Sequence, residues 1–329
     1  MPSGEDELIG RYFRPLATAP GALGLSDDTA FYTPPEGHDL VLTADAIVSG
    51  IHFLPDDPPE TVARKVLRVN LSDLAAKGAH PAGCLLTLAL PAGIAEAWLP
   101  GFASGLQSDC DLFGCPLYGG DTVRTEGPLW LSVTAFGILP RGTMVRRAGA
   151  MPGDRVVVTG TIGDAALGLR MLREPDLIGQ WSLGDDDAAH LAGRYRLPQP
   201  RNALADAVRT FASAAMDVSD GLAGDLAKLC DVSGVSARIE AARLPLSAAA
   251  GEALAADPGL IESIATGGDD YEILAAIPAD RLAAFREQAN AAAIPVTEIG
   301  EIVDGRTPVR VIGADGTELT FARGSFSHF

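Results

Sequence analysis

The 329-residue chain carries 43 acidic against 25 basic side chains, a formal charge of −18, and 47% of its residues are apolar. That composition is ample for sizeable cores and a soft prior for two domains, while the absence of a basic face argues against nucleic acid as a partner. The acidic opening Met1-Pro2-Ser3-Gly4-Glu5-Asp6-Glu7 and the lack of any apolar run near ~18 residues point away from a signal peptide or a membrane span, so a cytoplasmic protein with no membrane partner is expected.

Residues 5–16 have the spacing of a short amphipathic helix, and residues 39–46 form a β-rich apolar run ending in Asp45. Residues 59–78 are helical in period, with Val62, Val66, Val69 and Leu74 among the apolar positions; Pro81 lies beyond the end, where a helix cannot easily continue. Residues 84–90 read as a buried strand, 95–113 as a helix, and 129–139 as a strand of an antiparallel or mixed sheet leading to the neighbourhood of Gly119-Gly120. The turn Gly149-Ala150-Met151-Pro152-Gly153-Asp154 marks the expected boundary, dividing residues 1–149 from 150–329. Beyond it the pattern predicts a strand at 155–159, helices at 164–172, 203–212 and 222–233, a polar, Pro-limited stretch at 185–200, and strands at 237–239, 271–277 and 309–312. Residues 248–256 are alanine-rich, and no solenoid period is present. The expected class is α+β in two domains. Cys84, Cys110, Cys115 and Cys230 form no Cys-x-x-Cys pair and no zinc spacing, and read as reduced, packed thiols.

Acids recur beside glycines or at the ends of apolar runs: Ser26-Asp27-Asp28, Thr43-Ala44-Asp45, Asn70-Leu71-Ser72-Asp73, Gly119-Gly120-Asp121-Thr122, Asp217-Val218-Ser219-Asp220-Gly221 and Gly267-Gly268-Asp269-Asp270. Carboxylates among apolar residues are usually paired or hold cations, and bases are few. Hard oxygen ligands converging on divalent metal explain the pattern most simply, and Mg²⁺ with few protein ligands per ion usually means bound phosphates. None of the lysines Lys65, Lys77 and Lys228 follows a P-loop.

Each motif also has a plainer reading. Asp27-Asp28 suits a turn or an N-cap. Asp73 could pair with Lys77 four residues on, worth only about 0.3–0.5 kcal/mol if exposed. Ser219-Asp220-Gly221 can cap the helix at Leu222, which is compatible with metal binding. Thr159-Gly160-Thr161-Ile162-Gly163-Asp164 is either an anion-binding turn or a tight strand-to-helix turn. Gly119-Gly120 before Asp121 permits close approach of backbone to a ligand. His52, seven residues after Asp45 on a glycine-containing loop, is a candidate ligand contact; His38, His80, His190 and His328 read as solvated. Arg146-Arg147 is a surface pair or a phosphate clamp.

Taken in order, these segments resemble the thiamine-monophosphate kinase family, part of a superfamily that also holds aminoimidazole-ribonucleotide synthetase, selenophosphate synthetase and hydrogenase-maturation proteins. The carriers are the six acid-bearing motifs, with Gly50-Ile51-His52-Phe53, Leu74-Ala75-Ala76-Lys77-Gly78-Ala79, Val158-Thr159-Gly160 and Asp270-Tyr271-Glu272, and they span nearly the whole chain. The resemblance implies two domains of mixed sheets flanked by helices, with N-terminal domains pairing in a homodimer. It implies ATP-dependent phosphorylation of thiamine monophosphate to thiamine diphosphate, assisted by several Mg²⁺ ions and without a single general base. Metal ligands would be Asp28, Thr43, Ala44, Asp45, Asp73, Asp121, Asp217 and Asp220, of which Asp45, Asp121 and Asp220 bear most on catalysis. Gly120, Asp121, Arg147 and Ser219 would meet ATP; His52, Asp269 and Phe326 would meet thiamine monophosphate. The first domain would bind ATP and Mg²⁺ and dimerise, and the second would complete the active site. Ser26, Ala44 and Asp269 depart from the family's usual glycine, threonine and glutamate. The rival readings are another ATP-dependent superfamily reaction, such as a purine-precursor cyclisation, and an acidic metal-binding protein without turnover.

Overall fold

The computed structural model describes residues 4–322, 324 and 325. They form two compact units, the first running up to Leu74 and again over Ala79–Thr143, the second made of Ala75–Gly78 and the chain from Met144 onward.

In the first unit, a helix α1 (Gly4–Leu8) continues as a π-helical turn, Ile9–Phe13, and a 3₁₀ turn, Arg14–Leu16. Four strands follow with two long helices between them: β1 (His38–Val48), α2 (Pro59–Ala76), β2 (His80–Pro91), α3 (Ala95–Phe113), β3 (Leu117–Thr125) and β4 (Trp130–Pro140). The sheet order is β1-β4-β2-β3, antiparallel except where β2 and β3 run parallel. Leu67, Leu71 and Leu74 of α2 and Leu99, Phe102 and Leu106 of α3 recur at helical spacing, and all bury against Leu86, Leu88, Leu131 and Val133 of the sheet. Gly114 ends α3 in a left-handed turn, its N–H donating to the Cys110 carbonyl. The alternation of β1 sends Leu40 and Leu42 outward, where Leu42 is 65% exposed.

Gly119-Gly120 lies within strand β3 rather than on a turn, and β2 separates it from β4. A side chain at Gly120 would sit 1.7 Å from the Leu86 carbonyl oxygen. The glycine therefore lets two parallel backbones close, which is a structural role in addition to any ligand role.

The second unit carries seven strands, β5 (Arg155–Thr159), β6 (Ala214–Asp217), β7 (Ser236–Glu240), β8 (Ile273–Ile277), β9 (Val296–Val303), β10 (Arg310–Ile312) and β11 (Glu318–Leu319), in the order β11-β10-β7-β9-β5-β8-β6. Its helices are α4 (Asp164–Arg173), α5 (Leu177–Gln180), α6 (Asp185–Arg196), α7 (Ala205–Phe211), α8 (Leu222–Ser233), α9 (Ala248–Ala256), α10 (Leu260–Thr266) and α11 (Leu282–Ala291). Successive residues of β5 and β8 feed different cores. Val156, Val158 and Leu274 join one, while Val157, Ile273 and Ala275 join another with Phe285 and Val208. A sheet covered on both faces explains why these strands are continuously apolar.

The stretch 185–200, expected only to be polar and Pro-limited, is largely helix α6. Its three aspartates occupy the first turn, where they complement the positive end of the helix, and Leu191 and Tyr195 supply a buried stripe four residues apart. The alanine-rich run 248–256 is helix α9, capped by the Ser247 hydroxyl, which accepts from the Ala250 N–H.

Candidate active site

In the first unit, Asp27, Asp28, Gly119, Gly120 and Asp121 line one cavity of about 460 Å³. Both aspartates of the pair follow three left-handed residues, Leu23, Gly24 and Leu25 (φ 51°, 60° and 51°). The Ser26 hydroxyl closes that turn by donating to the Leu23 carbonyl at 2.7 Å, so serine has a local job where a glycine is usual. Asp28 and Asp121 are exposed, and the Asp121 carboxylate accepts the Thr122 N–H at 2.9 Å.

A second group forms where β1 meets α2. The Thr43 hydroxyl donates to Asp73 Oδ2 at 2.5 Å, and Asn70 Oδ1 accepts the Asp45 N–H at 3.1 Å. The Ser132 hydroxyl donates to the Asp45 carbonyl, and Ala44 is exposed between its two neighbours on the strand. Asp73 is half-buried. His52 Nδ1 accepts the Val48 N–H at 3.1 Å, which fixes Nε2 as the protonated nitrogen of the neutral ring. Lys65, only 2% exposed, donates to the His52 carbonyl at 2.8 Å. The sequence places Asn70 in a motif and Lys65 outside any P-loop, but assigns neither of them these contacts. The available signal was polar residues at Asn70 and Asp73, three apart on an otherwise apolar helix face.

Among the described residues Asp28, Asp73 and Asp121 have no ion-pair partner, and no three acidic, histidine or cysteine side chains come close enough to enclose a metal unaided. Oxygen donors offered one or two at a time fit Mg²⁺, which keeps waters and phosphate oxygens in its shell.

In the second unit, β6 ends in Asp217, which is 6% exposed, and the chain turns through Val218, Ser219 and Asp220 into α8. The cap of this turn is Asp225, not recognised in the sequence: its buried carboxylate accepts the Ser219 and Asp220 N–H groups at 3.0 and 2.9 Å. Burial pushes the Asp225 carboxyl above the usual range, and the hydrogen bond from Lys228 opposes that. Lys228 also donates to Asp220 at 2.5 Å, so this expected metal ligand already holds a cationic partner.

The loop 267–271 lies against the same turn. Asp269 and Tyr271 donate their N–H groups to the Ser219 and Val218 carbonyls at 2.9 and 2.8 Å. A Cβ at Gly268 would fall 2.4 Å from the Ser219 carbonyl oxygen, so glycine permits this contact. Asp269 and Tyr271 are both left-handed (φ 73° and 51°). Glu272, fully buried, accepts from Thr159, Arg194 and Arg201.

The Gly160-to-Gly163 turn resolves as a strand-to-helix turn in which three of the four amides are internally satisfied. The Gly160 and Ile162 N–H groups donate to the Pro295 and Pro245 carbonyls, and the Gly163 N–H donates to the Asp270 carboxylate. Arg147 is exposed, and Phe326 lies outside the described residues.

The model "AIR synthase related protein, N-terminal domain" matches residues 26–139, and its C-terminal counterpart matches residues 151–313. A thiamine-monophosphate kinase of Caulobacter vibrioides is 46% identical over 92% of this chain and 85% of its own. The crystal structure of thiamine-monophosphate kinase from Stenotrophomonas maltophilia superposes with a TM-score of 0.82 at 39% identity, covering 96% of this chain and 98% of that one. A structure of AaThiL complexed with AMPPCP and TMP superposes with a TM-score of 0.77 at 31% identity, covering 92% and 91%. Both domain models in order and relatives matched along most of their length establish that the chain belongs to the thiamine-monophosphate kinase family of AIR synthase related proteins.

Proposed function

We propose that this enzyme transfers the γ-phosphoryl group of ATP to the phosphate of thiamine monophosphate, giving ADP and thiamine diphosphate in the cytoplasm. The observation that carries the reading is the cavity where Asp28, Gly120 and Asp121 meet, rich in carboxylate oxygen and, among the described residues, without basic partners for Asp28 and Asp121. The relative solved with AMPPCP, an ATP analogue, and TMP supports the same pair of ligands.

In the transfer, an oxygen of the acceptor phosphate forms a bond to the γ-phosphorus as the bond to the β-γ bridging oxygen breaks, and ADP leaves with that electron pair. The acceptor is already ionised at neutral pH, so the site needs no strong general base; positioning and charge neutralisation carry the catalysis. Asp28, Thr43, Ala44, Asp45, Asp73, Asp121, Asp217 and Asp220 would hold Mg²⁺, with Ala44 offering its carbonyl. Bound there, the ions would neutralise charge on the transferring phosphates. Gly120 lets backbone approach the nucleotide, Ser219 and Arg147 bind it, His52 presents its Nε2–H, and Asp269 faces the cationic thiamine, with Phe326 a further contact. Residues 1–149 form the ATP-, Mg²⁺-binding and dimerisation domain, and residues 150–329 supply the remaining groups. A homodimer would cover the outward leucines of edge strand β1.

The test incubates purified protein with ATP, Mg²⁺ and thiamine monophosphate, beside the purine precursor as alternative substrate. Thiamine diphosphate is expected only with ATP and a divalent cation. Product formed in excess chelator, or turnover of the purine precursor instead, would overturn the reading.

A further inference from the structure

We propose that Glu272, held by Arg201 and Arg194, is the positioning residue of the loop that carries Asp269, and so sets the affinity for thiamine monophosphate without touching it. The proposal rests on the reading of Asp269 as a substrate contact.

Two non-glycine residues in the left-handed region, Asp269 and Tyr271, are strained and persist only where the surroundings impose them. The loop has three such constraints. Its N-terminal stem closes α10, with the Gly267 N–H donating to the Ser263 carbonyl at 2.9 Å. Its centre is fixed by the Asp270 carboxylate on the Gly163 N–H at 2.8 Å. Its C-terminal stem is Glu272. Arg194 reaches the Glu272 carboxylate at 2.8 Å, Arg201 grips it with Nε at 2.6 and Nη2 at 2.5 Å, and the Thr159 hydroxyl donates at 2.7 Å. The same hydroxyl accepts the Ile273 N–H at 2.8 Å, and the Glu272 carbonyl accepts the Val218 N–H at 2.8 Å. Arg194 also donates to the Asp270 carbonyl at 3.4 Å. A Cβ at Gly160 would lie 2.1 Å from Glu272 Oε1, so the neighbouring turn leaves room for this ion cluster.

Glu272 thus fixes the backbone next to two strained residues through charge-assisted hydrogen bonds, which are the stronger kind. The adjoining turn of Ser219 and Asp220 has a separate anchor in Asp225. Loosening Glu272 should therefore release the thiamine-contacting loop while the nucleotide-contacting turn keeps its hold.

Arg201→Lys preserves the charge but removes the two-pronged grip. Amide hydrogen exchange at Asp269 and Tyr271 should accelerate about tenfold, the effect of losing one good hydrogen bond, with Val156 and Val157 unchanged. The KM for thiamine monophosphate should rise several-fold, while the KM for ATP and kcat stay near wild type. Should Glu272→Gln fold, it should reproduce the split, and in an Asp269→Ala background it should add little further. Unchanged exchange at Asp269 and Tyr271 would overturn the proposal, as would equal rises in both KM values. If Asp269→Ala raises the thiamine-monophosphate KM and Arg201→Lys does not, the positioning role alone fails. If neither raises it, the role of Asp269 fails and the proposal falls with it.

Discussion

Asp73→Asn separates a structural carboxylate from one that neutralises phosphate-bound metal. Asp73 is half-buried, has no ion-pair partner among the described residues, and accepts the Thr43 hydroxyl at 2.5 Å. If holding Thr43 were its whole task, asparagine would keep an acceptor oxygen and exchange a charged hydrogen bond for a neutral one. That exchange costs about 1 kcal/mol, which lowers the melting temperature of a unit this size by about 2–4 °C. If its charge offsets phosphate and metal charge in the transition state, the loss should resemble removal of a preorganised electrostatic group. Turnover would then fall on the order of 10²–10³-fold, about 3–4 kcal/mol. The second effect exceeds the first severalfold, so one variant decides. The assay is kcat at saturating ATP and thiamine monophosphate across a Mg²⁺ titration, beside a thermal melt. Thr43→Val is the companion variant: it deletes the hydrogen bond together with the Thr43 hydroxyl oxygen and leaves the Asp73 carboxylate. We expect Asp73→Asn to lose most turnover at every Mg²⁺ concentration and Thr43→Val to lose several-fold at most. Near wild-type turnover for Asp73→Asn at saturating Mg²⁺ would refute the reasoning, and equal losses in both variants would assign the effect to Thr43 and Asp73 acting as a pair rather than to the carboxylate charge.

Asp121→Asn should likewise remove most turnover with the melt unchanged, since the carboxylate is exposed and bonds only its neighbour's N–H in the described structure; retained activity would exclude a metal role. Burial pushes the Asp270 carboxyl well above its usual range, against the Gly163 hydrogen bond and Arg194. A group raised on folding contributes most below its unfolded value of about 3.9 and loses that contribution as pH climbs through the raised one. The melting temperature of Asp270→Asn minus that of wild type should therefore increase from pH 4 to pH 8, and a difference independent of pH would contradict the shift. All four cysteines are buried, and burial pushes the Cys230 thiol up to about 11; a thiol reagent at pH 8 should label four groups after denaturation and label the native protein only slowly. Leu42→Asp on the outward face of β1 should convert a dimer to a monomer in sedimentation, whereas a wild-type monomer of 34.0 kDa at micromolar concentration would remove the dimer altogether.

Long helices and apolar strands were legible because burial imposes a period. The helix at 95–113 and the strand at 155–159 have the bounds their patterns predict. The elements missed lack that signal. Strand β6 is Ala-Ala-Met-Asp, with no β-branched or aromatic residue, and becomes a strand by pairing with β8. Helix α6 hides behind three aspartates and a short apolar stripe. Gly119-Gly120 is expected to admit a ligand close to the backbone, yet Gly120 also sits in a strand under the neighbouring Leu86 carbonyl, a demand that only the sheet reveals. The acids of the site were visible from their company, glycines and apolar ends. Their partners were not: Asn70, Asp225 and Lys228 act through contacts that chain order does not announce, and Arg194 and Arg201 meet Glu272 across 78 and 71 residues.

The charge balance makes a stronger argument for metal dependence than the count of acids alone. Many of the bases are already committed within the fold. Arg64 and Arg68 close on Asp109, Arg194 and Arg201 on Glu272, and Lys228 on Asp220 and Asp225, while Lys65 and Lys77 donate to backbone carbonyls. Asp28 and Asp121 meanwhile face a cavity with no neutralising partner among the described residues. A polyphosphate entering such a cavity meets like charge, and each unit pair at about 4 Å repels by roughly 4 kcal/mol at an effective dielectric near 20. Side chains already locked in ion pairs cannot offset several such terms. Arg124, Arg146 and Arg147, all exposed and without ion pairs among the described residues, are among the bases that remain available, but a cation drawn to phosphate does not also satisfy the carboxylates. Divalent cations placed between acid and phosphate turn each repulsion into two attractions, and this is why carboxylates rather than bases are the residues to bet on for binding two anionic substrates in a chain of this charge.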